Sequence, residues 1–457
     1  MKTNMNTLAH QLHISSNSLR QFVQDFNLNI EDIIDEKLNL SDDFLLFAKE
    51  NSEFLKQYDE DLKQEKSIED ISNKISEPQE KIQNYLKEEH PNLFDTDGFK
   101  TSISSFGIHQ KLGGDYQFIY NYFGKQTPLT QHDFIGYRDL FFHITDLIEP
   151  FLNPKQLENW GIEKPAGIII YGPPGSGKVF WAKKIAEIIG YKFTEVKNQL
   201  LSIMYDNGET SRFKDFLCSN RVKSPHTIIF LENFAKIATE ENPERPLNLA
   251  LLELKNLILQ TIHHNINDKI LFMGATNSLQ GLDIEILAPG RFDLCIPVFP
   301  PNVEERAEMI LANLLHHLTE KSPLLQVLKN NNADKIPFWK KTAQNMKLFS
   351  NTMVIDFTQA IKKRIHAEYM RLDGKNVIIS EKIISAALNE AFAKLTPEYL
   401  EYCASFINEL AQNNSMEFPR RIQNMLSELE FYKIKDKPVR KIGFNAEEEE
   451  ENKNEEV

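Results

Sequence analysis

Ile168-Ile169-Ile170-Tyr171-Gly172-Pro173-Pro174-Gly175-Ser176-Gly177-Lys178 is the stretch on which the reading of the whole chain turns. Its first four residues are β-branched or aromatic, the composition of a buried strand. Helix-forming sequence follows from about Lys178 to Ile189. A strand that opens into a glycine-rich turn and re-forms as a helix has a specific chemistry. The glycines let successive backbone N–H groups turn inward around an anion. The helix N-terminus adds the positive end of its dipole, and Lys178 supplies a point charge for terminal phosphates. The candidate nucleotide-binding residues are therefore Gly172, Pro173, Pro174, Gly175, Ser176, Gly177 and Lys178, with Val179 and Phe180 at the loop's end.

The surroundings of that loop set the fold class. From 131 to 302, apolar runs alternate with helical stretches, the pattern of a parallel α/β sheet. The runs are Gly167–Tyr171, Phe193–Val196, Thr227–Leu231, Ile270–Gly274 and Cys295–Phe299. Residues 303–395 read as helical throughout. The expected fold is an α/β P-loop αβα sandwich with a C-terminal helical lid, preceded by a small helical domain at 1–55. In that domain Ser15 or Ser16 can cap a helix carrying Leu19, Phe22, Val23 and Phe26 at helical spacing. Residues 56–130 read as a charged helical linker or flexible arm, then an aromatic-rich segment. Phe106, Tyr116, Phe118, Tyr120, Tyr122 and Phe123 surround Gly113-Gly114-Asp115 there, which suggests a hairpin. Residues 396–457 read as a C-terminal helix and a disordered acidic tail that includes Glu447–Glu451.

Composition excludes several classes. Hydrophobic residues make up 41% of the 457, enough for a large core, and the formal net charge is -14. Such a surface repels phosphate backbones, which argues against nucleic acid as a partner. The N-terminal helices have the rhythm of a DNA-binding helix pair, but acidic residues outnumber cations around them. The three cysteines, Cys218, Cys295 and Cys403, have neither disulfide-framework nor zinc spacing. With no apolar signal core and no run of about 18 apolar residues, a soluble cytoplasmic protein with no membrane partner is expected.

Several short stretches together resemble the AAA domain of the membrane-anchored AAA proteases and related remodelling ATPases. The quoted strand and loop resemble that family's first strand and phosphate loop. Asp133-Phe134-Ile135-Gly136 resembles the segment bordering the adenine, so Ile135 and Gly136 join the candidate nucleotide contacts. Gly274-Ala275-Thr276-Asn277 resembles the sensor-1 strand end. Leu282-Asp283 and Pro289-Gly290-Arg291-Phe292-Asp293 resemble the second region of homology. The likeness covers about 131–395 and reaches neither terminus nor any protease half, since His-Glu-x-x-His is absent. It implies ATP or ADP as cofactor and a homo-oligomeric ring. It gives catalytic roles to Glu232, Asn277 and Arg291, and implies a protein partner or substrate whose identity stays open.

The departures from that family are as informative as the matches. The hydroxyl residue that follows the loop lysine and ligates Mg²⁺ is Val179 here. The third strand ends in Asp-Glu in the family and reads Ile229-Phe230-Leu231-Glu232-Asn233 here. Two registers are open. One sets Leu231 at the metal-side Asp and Glu232 at the catalytic Glu; the other shifts each by one. The first is preferred because the two Mg²⁺-side groups would then be replaced together, by Val179 and Leu231, which strands no polar partner. Ala288 stands at the trans-acting arginine position, while Arg291 is kept. The expectation is a nucleotide-binding scaffold or regulator with no metal ligands of its own and weak or absent Mg²⁺-dependent hydrolysis. An active remodelling ring is the alternative. Asn351, in the lid segment that touches the base, is expected to crowd the adenine, and Tyr205-Asp206-Asn207 stands at the translocation loop.

Overall fold

The computed structural model describes residues 3–34, 39–89, 100–123, 135–154, 159–161, 164–196, 226–239, 249–263, 270–319, 321–373, 377–412 and 418–433. Asp133, Phe134, Tyr205-Asp206-Asn207, Cys218 and the acidic tail lie outside them.

The centre is a parallel sheet of β1 (Gly167–Tyr171), β2 (Lys192–Val196), β3 (Thr227–Leu231), β4 (Ile270–Thr276) and β5 (Leu294–Pro297). Its spatial order is β2-β3-β4-β1-β5. All residues of β1, β3 and β4 are buried. That explains why their sequences are continuous apolar runs and not alternating ones. The edge strand β2 reads Lys-Phe-Thr-Glu-Val, with a more exposed pattern. β1 sits between β4 and β5, with Ile170 opposite Ala275 and Ile296. Its C-terminal end therefore opens between those of β4 and β5, at the strand ends where an α/β fold places ligands. The Lys178–Ile189 helix follows at once and stops at Gly190, whose φ of 73° is the left-handed conformation of a helix end.

Among the described residues five helices follow the sheet, from Val303–Leu315 to Glu381–Phe392, packed around fully buried Trp339 and Phe357. Two further helices, and not the single one expected, occupy the C-terminal region: Pro397–Gln412 and Pro419–Lys433. The break between them follows from Pro419, which suits the first turn of a new helix and not the interior of an old one. Both pack back on the core. Glu409 accepts from the Leu279 backbone N–H at 3.1 Å and pairs with the Ser278 hydroxyl.

The N-terminal organisation differs from expectation. The helix Ser52–Lys63 runs straight across the boundary drawn at residue 55. Ile68–Ile75 and Gln79–Glu89 are likewise helical. Asp61, fully buried, holds Lys66 at 3.0 Å, Lys74 at 2.9 Å and the Ser105 backbone N–H at 2.7 Å. This charge cluster anchors the segment as part of a core. The hairpin expected around Gly113-Gly114 is two helices, Ser105–Lys111 and Gln117–Tyr120. The glycine pair closes a helix: the Gly114 N–H reaches His109 O at 2.8 Å and the Gly113 N–H reaches Gln110 O at 3.2 Å. With Gly113 at φ 93°, this is a Schellman termination, which needs the same residue types as a tight hairpin. The aromatic residues on either side of it complete the core of the first helices. Tyr116 lies 5.0 Å from Phe26, Phe106 5.4 Å from Phe54, and Phe123 5.5 Å from Phe47.

Candidate nucleotide site

The turn after β1 is shaped by positions where a side chain has no room. Gly172 has φ 151°, and a Cβ there would lie 2.1 Å from the Val298 carbonyl oxygen. Gly175 and Gly177 adopt φ 74° and 96°. Between them Ser176 is fully buried, and its hydroxyl has no hydrogen-bond partner among the described residues. Left-handed glycines around an orphaned buried polar atom form a cradle that fits a phosphate group. Lys178 Nζ donates to Gly172 O at 2.7 Å, Pro173 O at 3.0 Å and Asn277 Oδ1 at 2.9 Å. Burial pulls the ammonium down to about pKa 8, with the Glu232 carboxylate drawing it back up. A desolvated cation whose hydrogen bonds go to neutral carbonyl oxygens gains by exchanging them for an anion.

Lys178, Asn277 and Glu232 are thus brought together at one edge of the sheet. Asn277 follows β4 directly, and Glu232 follows β3 with its side chain exposed. Arg291 is not among them. Its guanidinium donates to Glu285 O at 2.6 Å, and its backbone carbonyl packs against Gly167, the first residue of β1. A five-residue strand is about 13 Å long, so Arg291 lies at the opposite edge of the sheet from the loop. The Asp293 carboxylate ties that far end together, accepting from the Ala166 N–H at 2.9 Å and the Gly290 N–H at 2.5 Å.

The side chains of Val179 and Leu231 offer a divalent cation no oxygen. Val179 packs half-buried against the core, and Leu231 is fully buried at the end of β3, opposite Val196 and Gly274. Among the described residues, no group of three or more His, Cys, Asp or Glu side chains is placed to hold a metal. Residue types at Val179 and Leu231 therefore do not fit Mg²⁺.

The lid closes on the loop from the other side. Asn351 opens the helix Asn351–Arg371, which Ser350 caps at its N-terminus. Asn351 Nδ2 donates to Ser176 O at 3.0 Å and lies 3.0 Å from where a Gly177 Cβ would sit. Asn351 Oδ1 is 2.8 Å from the Tyr137 hydroxyl, which is also 3.0 Å from Phe299 O. Tyr137 follows half-buried Ile135 and Gly136, whose φ is 74° and whose Cβ, if present, would meet Glu305 Cγ at 2.6 Å. Phe180 is exposed, while its neighbour Trp181 is buried with its ring 6.2 Å from Tyr137. Beside Pro174 and Gly175 a cavity of about 340 Å³ separates the loop from Met353, Lys394 and Tyr402. Sequence reasoning did not find Tyr137, Glu305 or Arg421, all of which surround this site. The one local signal was the Asn302-x-x-Glu305 capping box, in which each side chain bonds the other's backbone N–H at 2.9 Å.

Residues 168–299 match the family model described as ATPase family associated with various cellular activities (AAA). The chain is 30% identical over 189 residues to the Arabidopsis thaliana protein named probable inactive ATP-dependent zinc metalloprotease FTSHI 1, chloroplastic; the match covers 39% of this chain and 20% of that protein. It is 27% identical over 210 residues to ATP-dependent zinc metalloprotease FtsH 2 of Thermoanaerobacter sp. (strain X514), covering 45% and 40%. It is 31% identical over 189 residues to the putative ribosome biogenesis ATPase nvl of Dictyostelium discoideum, covering 39% and 20%. The chain thus spans between a fifth and two fifths of these relatives' own length.

Proposed function

Since the chain contains an AAA-type ATPase domain, we propose that it binds adenine nucleotide at the loop Gly172–Lys178 and works as a nucleotide-binding scaffold or regulator with little Mg²⁺-dependent hydrolysis. The observation that carries this reading is the apolar character of Val179, next to Lys178, and of Leu231 at the end of β3. In the preferred register of the third strand, half-buried Val179 and buried Leu231 take the places of the hydroxyl and the carboxylate that hold the metal in the family. Phosphate contacts from backbone N–H groups, the helix N-terminus and Lys178 need no metal. Two relatives, FTSHI 1 and FTSHI 4 of Arabidopsis thaliana, carry "probable inactive" in their names, which accords with this reading without establishing it.

Arg291 contributes to this site only from a neighbouring copy, because within one chain it lies at the other end of β1. A ring of copies would bring that edge to the next loop, and Ala288 there leaves the contact short of one guanidinium. The second reading, an active remodelling ATPase, is favoured by Glu232 and Asn277. Both stand beside Lys178, where a carboxylate and an amide could orient an attacking water.

The test measures ATP and ADP binding with and without EDTA, alongside phosphate release. Binding that survives EDTA, with no turnover, is the expected result. Robust Mg²⁺-dependent turnover reverses the ranking of the two readings. Equal affinity in the wild type and Lys178→Ala would sink both.

A further inference from the structure

The second C-terminal helix is wired to the phosphate loop through a short chain of side chains. Its Arg421 is buried, although it carries a full charge. The guanidinium donates to both carboxylate oxygens of Asp139 at 2.5 Å and to those of Glu305 at 2.5 and 3.1 Å. It also lies 4.9 Å over the Tyr137 ring and 5.6 Å from the centre of the Phe299 ring. Glu305 in turn accepts the Tyr137 backbone N–H at 2.8 Å. One cation therefore fixes the ring face, the backbone and the flanking carboxylates of a single tyrosine.

That tyrosine is held in an unusual conformation. Its φ of 51° is left-handed, which a bulky residue adopts only when its surroundings impose it. The hydroxyl it presents meets Asn351, and Asn351 bonds Ser176 O in the loop. From Arg421 to the phosphate cradle there are only two intervening side chains, Tyr137 and Asn351. Every link is a hydrogen bond or a direct ring contact.

We propose that Arg421 is a positioning residue: through Tyr137 and Asn351 it sets how the lid closes on the phosphate loop, so that docking of the helix Pro419–Lys433 and nucleotide binding at the loop regulate each other. This regulation rests on the nucleotide-binding reading above. Reciprocity is the physical requirement. If the docked helix tightens ADP binding, ADP must tighten the docked helix by the same factor. Releasing Arg421 frees Tyr137 from its left-handed pose and lets the lid loosen, so nucleotide must order the lid at its own expense and binds more weakly.

Hydrogen exchange of the backbone N–H groups of 419–433, read with and without saturating ADP, tests this in the full chain. In the wild type ADP should slow exchange there about fivefold or more, the lower range of allosteric couplings. Arg421→Ala should weaken ADP binding by a similar factor, and Arg421→Lys, which keeps charge but not the fork, should recover part of it. Arg421→Ala strands two carboxylates and risks misfolding, so Tyr137→Phe supplies the gentler arm: it removes only the hydroxyl. Tyr137→Phe saturated with ADP should show no slowing at 419–433. A purely structural Arg421 would lower the melting temperature while leaving the ADP-dependent slowing intact. The proposal is overturned if the wild type binds ADP with no change at 419–433, or if the change persists in Tyr137→Phe. A wild type that binds no ADP removes the nucleotide-binding reading itself, and this proposal with it.

Discussion

At the scale of single residues, Lys178 and its neighbours decide what the site can do. The ammonium is drawn down to about pKa 8 by burial, so it loses its proton as the pH rises through that value. Phosphate affinity should therefore fall as pH climbs through about 8 towards 9.5. Isothermal titration across that window checks it, and Lys178→Ala should show no such slope. The stability effect has the opposite sign. The unfolded lysine holds its proton up to its ordinary range near 10.5, so between about 8 and 10.5 the unfolded chain binds more protons and this group's contribution to stability rises with pH. Val179 and Leu231 give a second test. Leu231→Asp alone places a carboxylate at a fully buried position and should cost about 3–5 kcal/mol, as an unpaired buried charge does. Val179→Thr with Leu231→Asp should regain melting temperature when Mg²⁺ and ATP are added together, and should raise turnover. If the double variant gains neither, lost metal ligation is not the main defect. These residues were legible in the sequence because the loop's chemistry is local: the seven consecutive positions Gly172–Lys178 and one strand end carry it. Arg421 was not legible, since its partners Asp139 and Glu305 lie 282 and 116 positions away.

At the scale of elements, the sheet carries the site by holding β1 between two neighbours. Gly172 is the hinge of that arrangement, with φ 151° and the Val298 carbonyl at 2.1 Å from a built Cβ. Gly172→Ala should cost about 1–3 kcal/mol or more, the range of overpacking in a tight core. It should also lower nucleotide affinity through the displaced loop. Urea unfolding and ADP titration on the same variant separate the two losses. Strands and the Lys178–Ile189 helix were readable to within a few residues, because fully buried strands show as unbroken apolar runs. The segment around Gly113-Gly114 was misread because glycine pairs serve hairpin turns and helix ends equally well, and only the bonds to His109 and Gln110 distinguish them. The charged segment from residue 56 reads as a helical linker or flexible arm; it is helical at Ile68–Ile75 and Gln79–Glu89, and its place in a core was hidden for a related reason. Its charges are spent in part on a buried cluster at Asp61, which a surface-charge count cannot see.

At the scale of the molecule, the N-terminal helices share an apolar core with the helices Arg138–Leu147 and Val303–Leu315, and polar contacts line the same junction. Arg20 meets both oxygens of Asp146 at 2.5 and 2.7 Å, Arg138 Nε reaches Leu28 O at 2.8 Å, and Lys111 lies 3.0 Å from Glu304. A cavity of about 630 Å³ opens along this junction, lined among others by Asp25, Tyr85, Arg138, Glu308 and Arg420. Ion pairs of this half-exposed kind weaken with salt, so the junction should loosen between 0.05 and 0.5 M salt on the order of the Debye screening change. Proteolysis between the two units, followed over that range, should accelerate. In Arg20→Ala the acceleration should already be present at low salt. No helix among the described residues is long and apolar enough to cross a membrane.

Arg306 has no water contact at all, yet it is an obligate cation. It donates to Ala343 O and Pro301 O at 3.1 Å, and to Glu428 at 2.5 and 3.0 Å. Its counter-charge thus comes from a residue made 122 positions later. While the chain emerges from a ribosome, the lid helices are complete long before Glu428 leaves the exit tunnel. Until then they must keep a guanidinium hydrated or remain unsealed. The last helix is consequently the clasp of the lid, and a nascent chain arrested before residue 428 should hold an ATPase sheet that is already protected beneath helices still open to protease.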